Sequence, residues 1–212
     1  MYKSHVKRLL DIILAATILI ATAPISLLFA ALIKLESKGP VLFTQERTGL
    51  NGKTFMLRKF RSMTCDNDVR DLTKQNSITR VGKFLRKSSI DEIPQVINIL
   101  RGEMSFIGPR PWIPEYFKHM NDNQRRRASV LPGITGRAQA YGRNSITINE
   151  KINHDLDYVE DVTLMNDIKL IFATAASIFD TSTHDIDKNG IQNELDTLQN
   201  QGDNSALVSQ GS

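Results

Sequence analysis

The strongest pattern along the chain is an unbroken apolar run at residues 9–33, LLDIILAATILIATAPISLLFAALI, whose only charged residue is Asp11. Its 25 positions are enough to cross a bilayer, which takes about 20 apolar residues. Lys3, Lys7 and Arg8 precede the run, and Lys34 and Lys38 follow it. A secretory signal ending at Ala21-Thr22-Ala23 is one reading, but Pro24 follows that site and the apolar run continues past it. A straight spanning helix is a second reading. It places one basic flank on the far side, whereas basic flanks favour the cytoplasmic side. A third reading uses Pro24, which lacks a backbone N–H and breaks or kinks a helix. The limb Leu9–Ala23 spans about 22 Å at 1.5 Å per residue, short of a core of about 30 Å. A re-entrant helix turning at Pro24 keeps both flanks on one face, and this reading is favoured.

Beyond the run, apolar, β-favouring stretches flank Leu50-Asn51-Gly52-Lys53, and Asn-Gly there predicts a hairpin because both residues tolerate positive φ. Val81–Lys87 reads as a short helix. Ile90–Leu100 is helical in spacing, with Ile93, Val96, Ile97 and Leu100 on one face and a stop at Gly102. Phe106-Ile107-Gly108-Pro109-Arg110-Pro111 is predicted to be neither regular helix nor central strand. Glu115–Ser129 reads as a helix and Leu131–Gly136 as a rigid turn. A last helix, Leu164–Phe179, is capped by Thr163 and carries an apolar face suited to a core or a bilayer surface. Residues 180–212 are poor in large apolar side chains and read as a disordered polar tail. The expected fold is α/β mixed and mostly helical: an N-terminal re-entrant membrane helix, a small β-hairpin and amphipathic interfacial helices. Its expected domains are a membrane anchor at 1–38, a cytoplasmic catalytic domain at 39–179 and the tail at 180–212.

Charge sharpens this picture. Residues 1–150 hold 24 Lys and Arg against 12 Asp and Glu, whereas residues 151–212 hold 3 against 11. A basic body suits a phosphate-rich partner, be it nucleic acid, an anionic membrane or a nucleotide. Few aromatics interleave the cations, which disfavours nucleic acid. The single cysteine, Cys65, excludes an intramolecular disulfide, and its acidic surroundings suit an inert thiol. His5, His119, His154 and His184 lack zinc-ligand spacing, and no glycine-rich phosphate loop is present.

Two local features point to chemistry. Ser89-Ile90-Asp91-Glu92 fits a capping box, in which Glu92 reaches back to the Ser89 backbone. The same acids at a helix N-terminus would be held as anions, the state a nucleophile or a Mg²⁺ ligand needs. Lys59, Arg61, Arg80, Lys83, Arg86, Lys87, Arg101, Arg110 and Arg143 lie around this element in sequence. Such cations neutralise a transferring phosphoryl group. Arg110, held between Pro109 and Pro111, is the most directed of them. Arg125-Arg126-Arg127 cannot share one helix face and reads as a solvated or lipid-headgroup patch.

These segments together resemble the bacterial sugar transferase family, the monotopic polyprenyl-phosphate phosphoglycosyl transferases. The resemblance runs from Lys7 to about Phe179. It rests on Lys7-Arg8-x-x-Asp11, Pro24, Phe43-Thr44-Gln45-x-Arg47-x-Gly49 and Lys59-Phe60-Arg61-Ser62-Met63. It continues through Asp91-Glu92-Ile93-Pro94-Gln95-x-x-Asn98-x-Leu100-x-Gly102, Met104–Pro111, Pro132–Gly136 and Gly142-Arg143-Asn144. The resemblance implies a re-entrant helix broken at Pro24 and a Mg²⁺-dependent Asp91-Glu92 dyad that serves as both catalytic pair and metal ligands. It implies that Asp91 takes the phosphosugar from a UDP-sugar, releasing UMP, and that polyprenyl (undecaprenyl) phosphate then accepts it. Lys59, Arg86, Pro109, Arg110, Pro111 and Arg143 become the expected substrate-binding residues. The bacterial inner membrane becomes the expected location, with the catalytic domain on its cytoplasmic face, and initiation of a cell-surface glycan the expected role. Inner-membrane lipid is then a partner, nucleic acid is not, and the reading leaves room for a homo-oligomer. The chain departs from the pattern at Ala23, where many members have Ser, and at Arg137, where many have a bulky apolar residue. It resembles the minimal members, which often use N-acetylated UDP-sugars. The alternative is a membrane-tethered basic nucleotide-binding or assembly module without catalysis.

Overall fold

The computed structural model describes residues 2–64, 78–142, 146–179 and 197–198. Cys65, Arg143 and the tail expectation for 180–212 lie outside them, apart from Thr197 and Leu198. The chain forms two compact units. One comprises Leu9–Gln45 and Met56–Gly102. The other comprises Met1–Arg8, Glu46–Phe55 and Glu103–Ser212.

The first unit is dominated by α1, Lys7–Glu36, whose 30 residues form one helix that contains Pro24. It is long and apolar enough to cross a membrane. Of its residues only Asp11, Ala15, Phe29 and Ile33 are buried, while Leu9, Ile20, Leu27, Leu28 and Leu35 are exposed. Pro24 cannot donate to the carbonyl four residues back. Just before it, the Thr22 hydroxyl donates to the Ile18 carbonyl at 2.7 Å, a bond that tends to bend helices.

Strands β1, Leu42–Thr48, and β2, Thr54–Phe60, pair as the expected hairpin. Its turn holds Asn51 at φ 54° and Gly52 at φ 78°, the left-handed values that favour this dipeptide. The helix α2, Arg80–Lys87, begins at a true cap, with Thr79 Oγ1 accepting from the Gly82 N–H at 2.9 Å. Helix α3 is shorter than its periodicity suggests. A 3₁₀ turn covers Ile90–Glu92, and α3 runs only from Gln95 to Leu100 because Pro94 intervenes. Its buried residues are Gln95, Val96, Asn98 and Ile99, so two polar side chains share the buried face with the apolar ones, and Asn98 is hydrogen-bonded there. Phe29 and Ile33 of α1 pack with Phe60 and Leu85 in one apolar cluster.

The second unit contains a pairing that the sequence did not lead us to expect, between two edge strands. Strands β3, Ser105–Ile107, and β4, Gly133–Thr135, pair in parallel, with Ser105 opposite Gly133 and Ile107 opposite Thr135. The approach is close: a Cβ on Gly133 would lie 2.2 Å from the Gly108 nitrogen, so only glycine fits. The expected helix Glu115–Ser129 is divided into α4, Pro114–His119, α5, Asp122–Arg125, and a 3₁₀ turn, Arg126–Ser129. Met120, in extended conformation, ends the first piece, and Asn121 starts the next through a capping box with Gln124. A short helix α6, Arg137–Tyr141, and a longer α7, Ile148–Glu160, follow; α7 starts at a Thr147–Glu150 capping box. Helix α8 spans Leu164–Phe179 as expected, and Thr163 Oγ1 accepts from the Asn166 N–H at 3.2 Å. Its Leu164, Met165, Ile168, Ile171 and Phe172 are exposed. Leu198 is fully buried and packs with Tyr116, Met120, Ile148 and Ile152.

Candidate active site

Asp91 and Glu92 sit in the tight turn between α2 and α3. Ser89, at φ 56° in the left-handed region, redirects the chain out of α2. The Ser89 side chain makes no cap bond, so the capping box read from sequence does not form. Its physical basis is missing, because the α-helix starts beyond Pro94 rather than at Ile90. Glu92 instead accepts from Lys59 Nζ on β2 at 2.5 Å, and the same ammonium lies 4.0 Å from Asp91 Oδ2. These side chains are largely enclosed, with 19, 14 and 21 % exposure for Lys59, Asp91 and Glu92.

Enclosure changes the electrostatics expected for a helix terminus. Burial pushes the Asp91 carboxyl above its ordinary range; Lys59 opposes this, Glu92 adds to it, and Arg86 opposes it. Lys59 and Arg86 thus favour the ionised form of Asp91 against burial and the Glu92 charge. Arg86 is exposed on α2 and aimed by a 2.8 Å bond from Nε to Ser62 Oγ. Gly82 makes this possible, since a Cβ there would lie 2.0 Å from the Ser62 carbonyl oxygen.

Asn98 is a contributor whose role sequence reasoning missed. Fully buried on α3, it accepts from the Arg58 N–H at 3.1 Å and donates to the Met56 carbonyl at 2.8 Å. Its amide thus fixes β2, which carries Lys59, to the helix following Asp91 and Glu92. The signal in sequence was a polar residue three positions after Gln95, within an otherwise apolar segment.

The two carboxylates also suit a hard divalent cation. Mg²⁺ commonly takes one or two carboxylates and completes its shell with water and substrate phosphate. Among the described residues no group of three His, Cys, Asp or Glu side chains assembles as a fuller cage. Asp91 and Glu92, adjacent, mutually repelling and partly enclosed, fit that sparse donor set.

Pro109, Arg110 and Pro111 belong to the second unit. Both prolines are buried and only Arg110 is exposed, so the prolines shape the segment while the arginine presents its charge. Arg47 lies beside it. Burial and the Arg110 charge push the Arg47 guanidinium down to about 10, with Tyr116 opposing. Arg127 corrects the expectation of a solvated patch: Arg125 and Arg126 are exposed, but Arg127 is buried against Asp155 at 2.6 Å.

Residues 2–181 match the bacterial sugar transferase family. The chain belongs to that family, and it is a sugar-phosphate transferase. It is 40% identical over 174 residues to the uncharacterized sugar transferase EpsL of Bacillus subtilis, covering 81% of this chain and 86% of that one. It is 40% identical over 187 residues to the UDP-glucose:undecaprenyl-phosphate glucose-1-phosphate transferase of Caulobacter vibrioides, covering 82% of this chain and 70% of that one. A protein of the same name from Klebsiella pneumoniae is 43% identical over 180 residues, which is 79% of this transferase but 39% of that longer chain.

Proposed function

We propose that this transferase moves a hexose-1-phosphate from a UDP-hexose to polyprenyl phosphate, releasing UMP, as the first step of a cell-surface glycan. The observation that carries the reading is the enclosed Asp91–Glu92 pair neutralised by Lys59 and faced electrostatically by Arg86. The names of the relatives favour UDP-glucose over the N-acetylated sugars that the minimal form suggested.

In the proposed reaction a carboxylate oxygen of Asp91 attacks the sugar-bearing phosphorus. The bond to the bridging oxygen breaks, UMP leaves with that oxygen, and an acyl phosphate carrying the sugar remains on Asp91. An oxygen of polyprenyl phosphate then attacks the same phosphorus, frees the Asp91 carboxylate and gives a polyprenyl-diphosphate-sugar. Lys59 holds Glu92 and favours the anionic form of Asp91, while Arg86 contributes positive charge for the phosphates. Arg110 and Arg143, the latter outside the described residues, are further proposed phosphate-binding residues. Mg²⁺ held by Asp91 and Glu92 would supply charge neutralisation on the diphosphate.

The location proposed is the cytoplasmic face of the bacterial inner membrane. Its support is the exposed apolar surface of α1, its basic flanks, and the exposed apolar stripe of α8, which suits an interfacial helix. Re-entry at Pro24 satisfies both flanks at once, and the Thr22 hydroxyl on the Ile18 carbonyl favours a bend there. The test is a panel of UDP-sugars offered with polyprenyl phosphate and Mg²⁺, read as UMP release and lipid-linked product. UMP release with UDP-glucose supports the reading. Nucleotide binding without turnover across the panel favours the non-catalytic module.

A further inference from the structure

We infer that Arg127 is a positioning residue for Arg110, holding by its buried guanidinium the main chain from which Arg110 presents its charge. The inference rests on the reading of Arg110 as a substrate-phosphate contact. The carbonyl oxygens of residues 109–112 each have their own donor. Gly133 N–H donates to Pro109 O at 2.9 Å, and Thr48 N–H to Trp112 O at 2.8 Å. Arg127 Nη2 donates to Arg110 O at 2.8 Å, and Arg47 Nη1 to Pro111 O at 3.4 Å. A proline on either side of Arg110 fixes φ at those positions and removes two competing donors. The segment is therefore pinned along its whole length while the Arg110 side chain stays exposed.

Arg127 is the costliest of these donors, which makes its presence informative. Its Nε and Nη2 both reach Asp155 Oδ2, at 2.9 and 2.6 Å, and its guanidinium lies 4.0 Å from the Trp112 ring centroid. Both Arg127 and Asp155 are almost fully buried, at 4 and 2 % side-chain exposure. Desolvating such a pair often cancels its attraction, so apolar replacements serve stability equally well. What an apolar side chain cannot supply is a directed donor for the Arg110 carbonyl. One planar fork meets the carboxylate and the carbonyl while its face covers Trp112; a lysine ammonium has no such fork or face. The geometry thus assigns Arg127 to orientation, with the Asp155 carboxylate aiming it and Trp112 as its floor.

The test uses the full chain in detergent and UDP as the probe, since its diphosphate is common to every UDP-sugar. Arg127→Lys and Arg110→Ala should each weaken UDP binding by about tenfold, and the double variant should bind within about twofold of Arg110→Ala alone, because coupled residues are not additive. A purely structural Arg127 would lower the melting midpoint but weaken UDP by the same factor in both backgrounds; that result, or unchanged affinity in Arg127→Lys, overturns the inference. Unchanged affinity in Arg110→Ala overturns the reading of Arg110 itself, and the positioning role with it. Should Arg127→Lys fail to fold, Trp112→Leu takes its place. It removes the floor under the guanidinium and should weaken UDP by about threefold in wild type and not at all in Arg110→Ala; equal loss in both backgrounds again overturns the role.

Discussion

Lys59 is the residue on which the Asp91–Glu92 pair depends. Its ammonium is 2.5 Å from Glu92 and 4.0 Å from Asp91. Without it, burial and the Glu92 charge both favour protonation of Asp91, the proposed nucleophile. Lys59→Met should therefore lower turnover by roughly 100-fold, a barrier change of about 2.7 kcal/mol. Steady-state UMP release with the fold checked by circular dichroism measures this. Turnover within threefold of wild type would remove Lys59 from the machinery. Lys59 was legible as a cation in the motif Lys59-Phe60-Arg61. Its partner was not, because the capping-box pattern at Ser89–Glu92 offered Glu92 a local alternative. Arg127 was misread for a related reason: a run of three cations gives no sign that one of them meets Asp155, 28 residues away.

At the scale of elements, three signals in the sequence led directly to structure. The apolar run became α1, Asn51-Gly52 became the hairpin turn, and the period of Leu164–Phe179 together with Thr163 became α8. Short elements were lost where tertiary contacts decide. The β3–β4 pair has three residues per strand, bordered by glycine and proline, so its pairing is set by non-local hydrogen bonds rather than by alternation. Helix α7 was missed because polar residues separate its buried Ile148, Ile152, Tyr158 and Val159. The close approach of α2 to Ser62 was equally invisible, although Gly82 marked it. Gly82→Ala should push α2 away from Ser62 and loosen the Arg86–Ser62 bond, costing about 1–3 kcal/mol of stability. A thermal melt checks this, and an unchanged midpoint would show that α2 relaxes freely.

The molecule as a whole combines a membrane-length helix, an exposed apolar stripe on α8 and a basic body. If both flanks of α1 face the cytoplasm, cysteines placed at Lys3 and Lys38 in a Cys65-free variant should both resist an impermeant thiol reagent in intact cells. Pro24→Leu should favour a straight helix and expose the Lys3 position. Labelling of Lys3 alone without that substitution contradicts re-entry. On α8, Phe172→Asp should weaken binding of detergent-depleted protein to anionic vesicles, measured by co-sedimentation; unchanged binding would show that this face does not meet lipid. All of this architecture serves one proposed event, transfer through Asp91. The measurement that tests it most directly is rapid-quench UMP release from UDP-glucose and Mg²⁺ with no lipid acceptor. The account predicts a burst of at most one UMP per enzyme, followed by steady turnover once polyprenyl phosphate is added, with both lost in Asp91→Asn. Lipid-linked product formed by Asp91→Asn at the wild-type rate would contradict it.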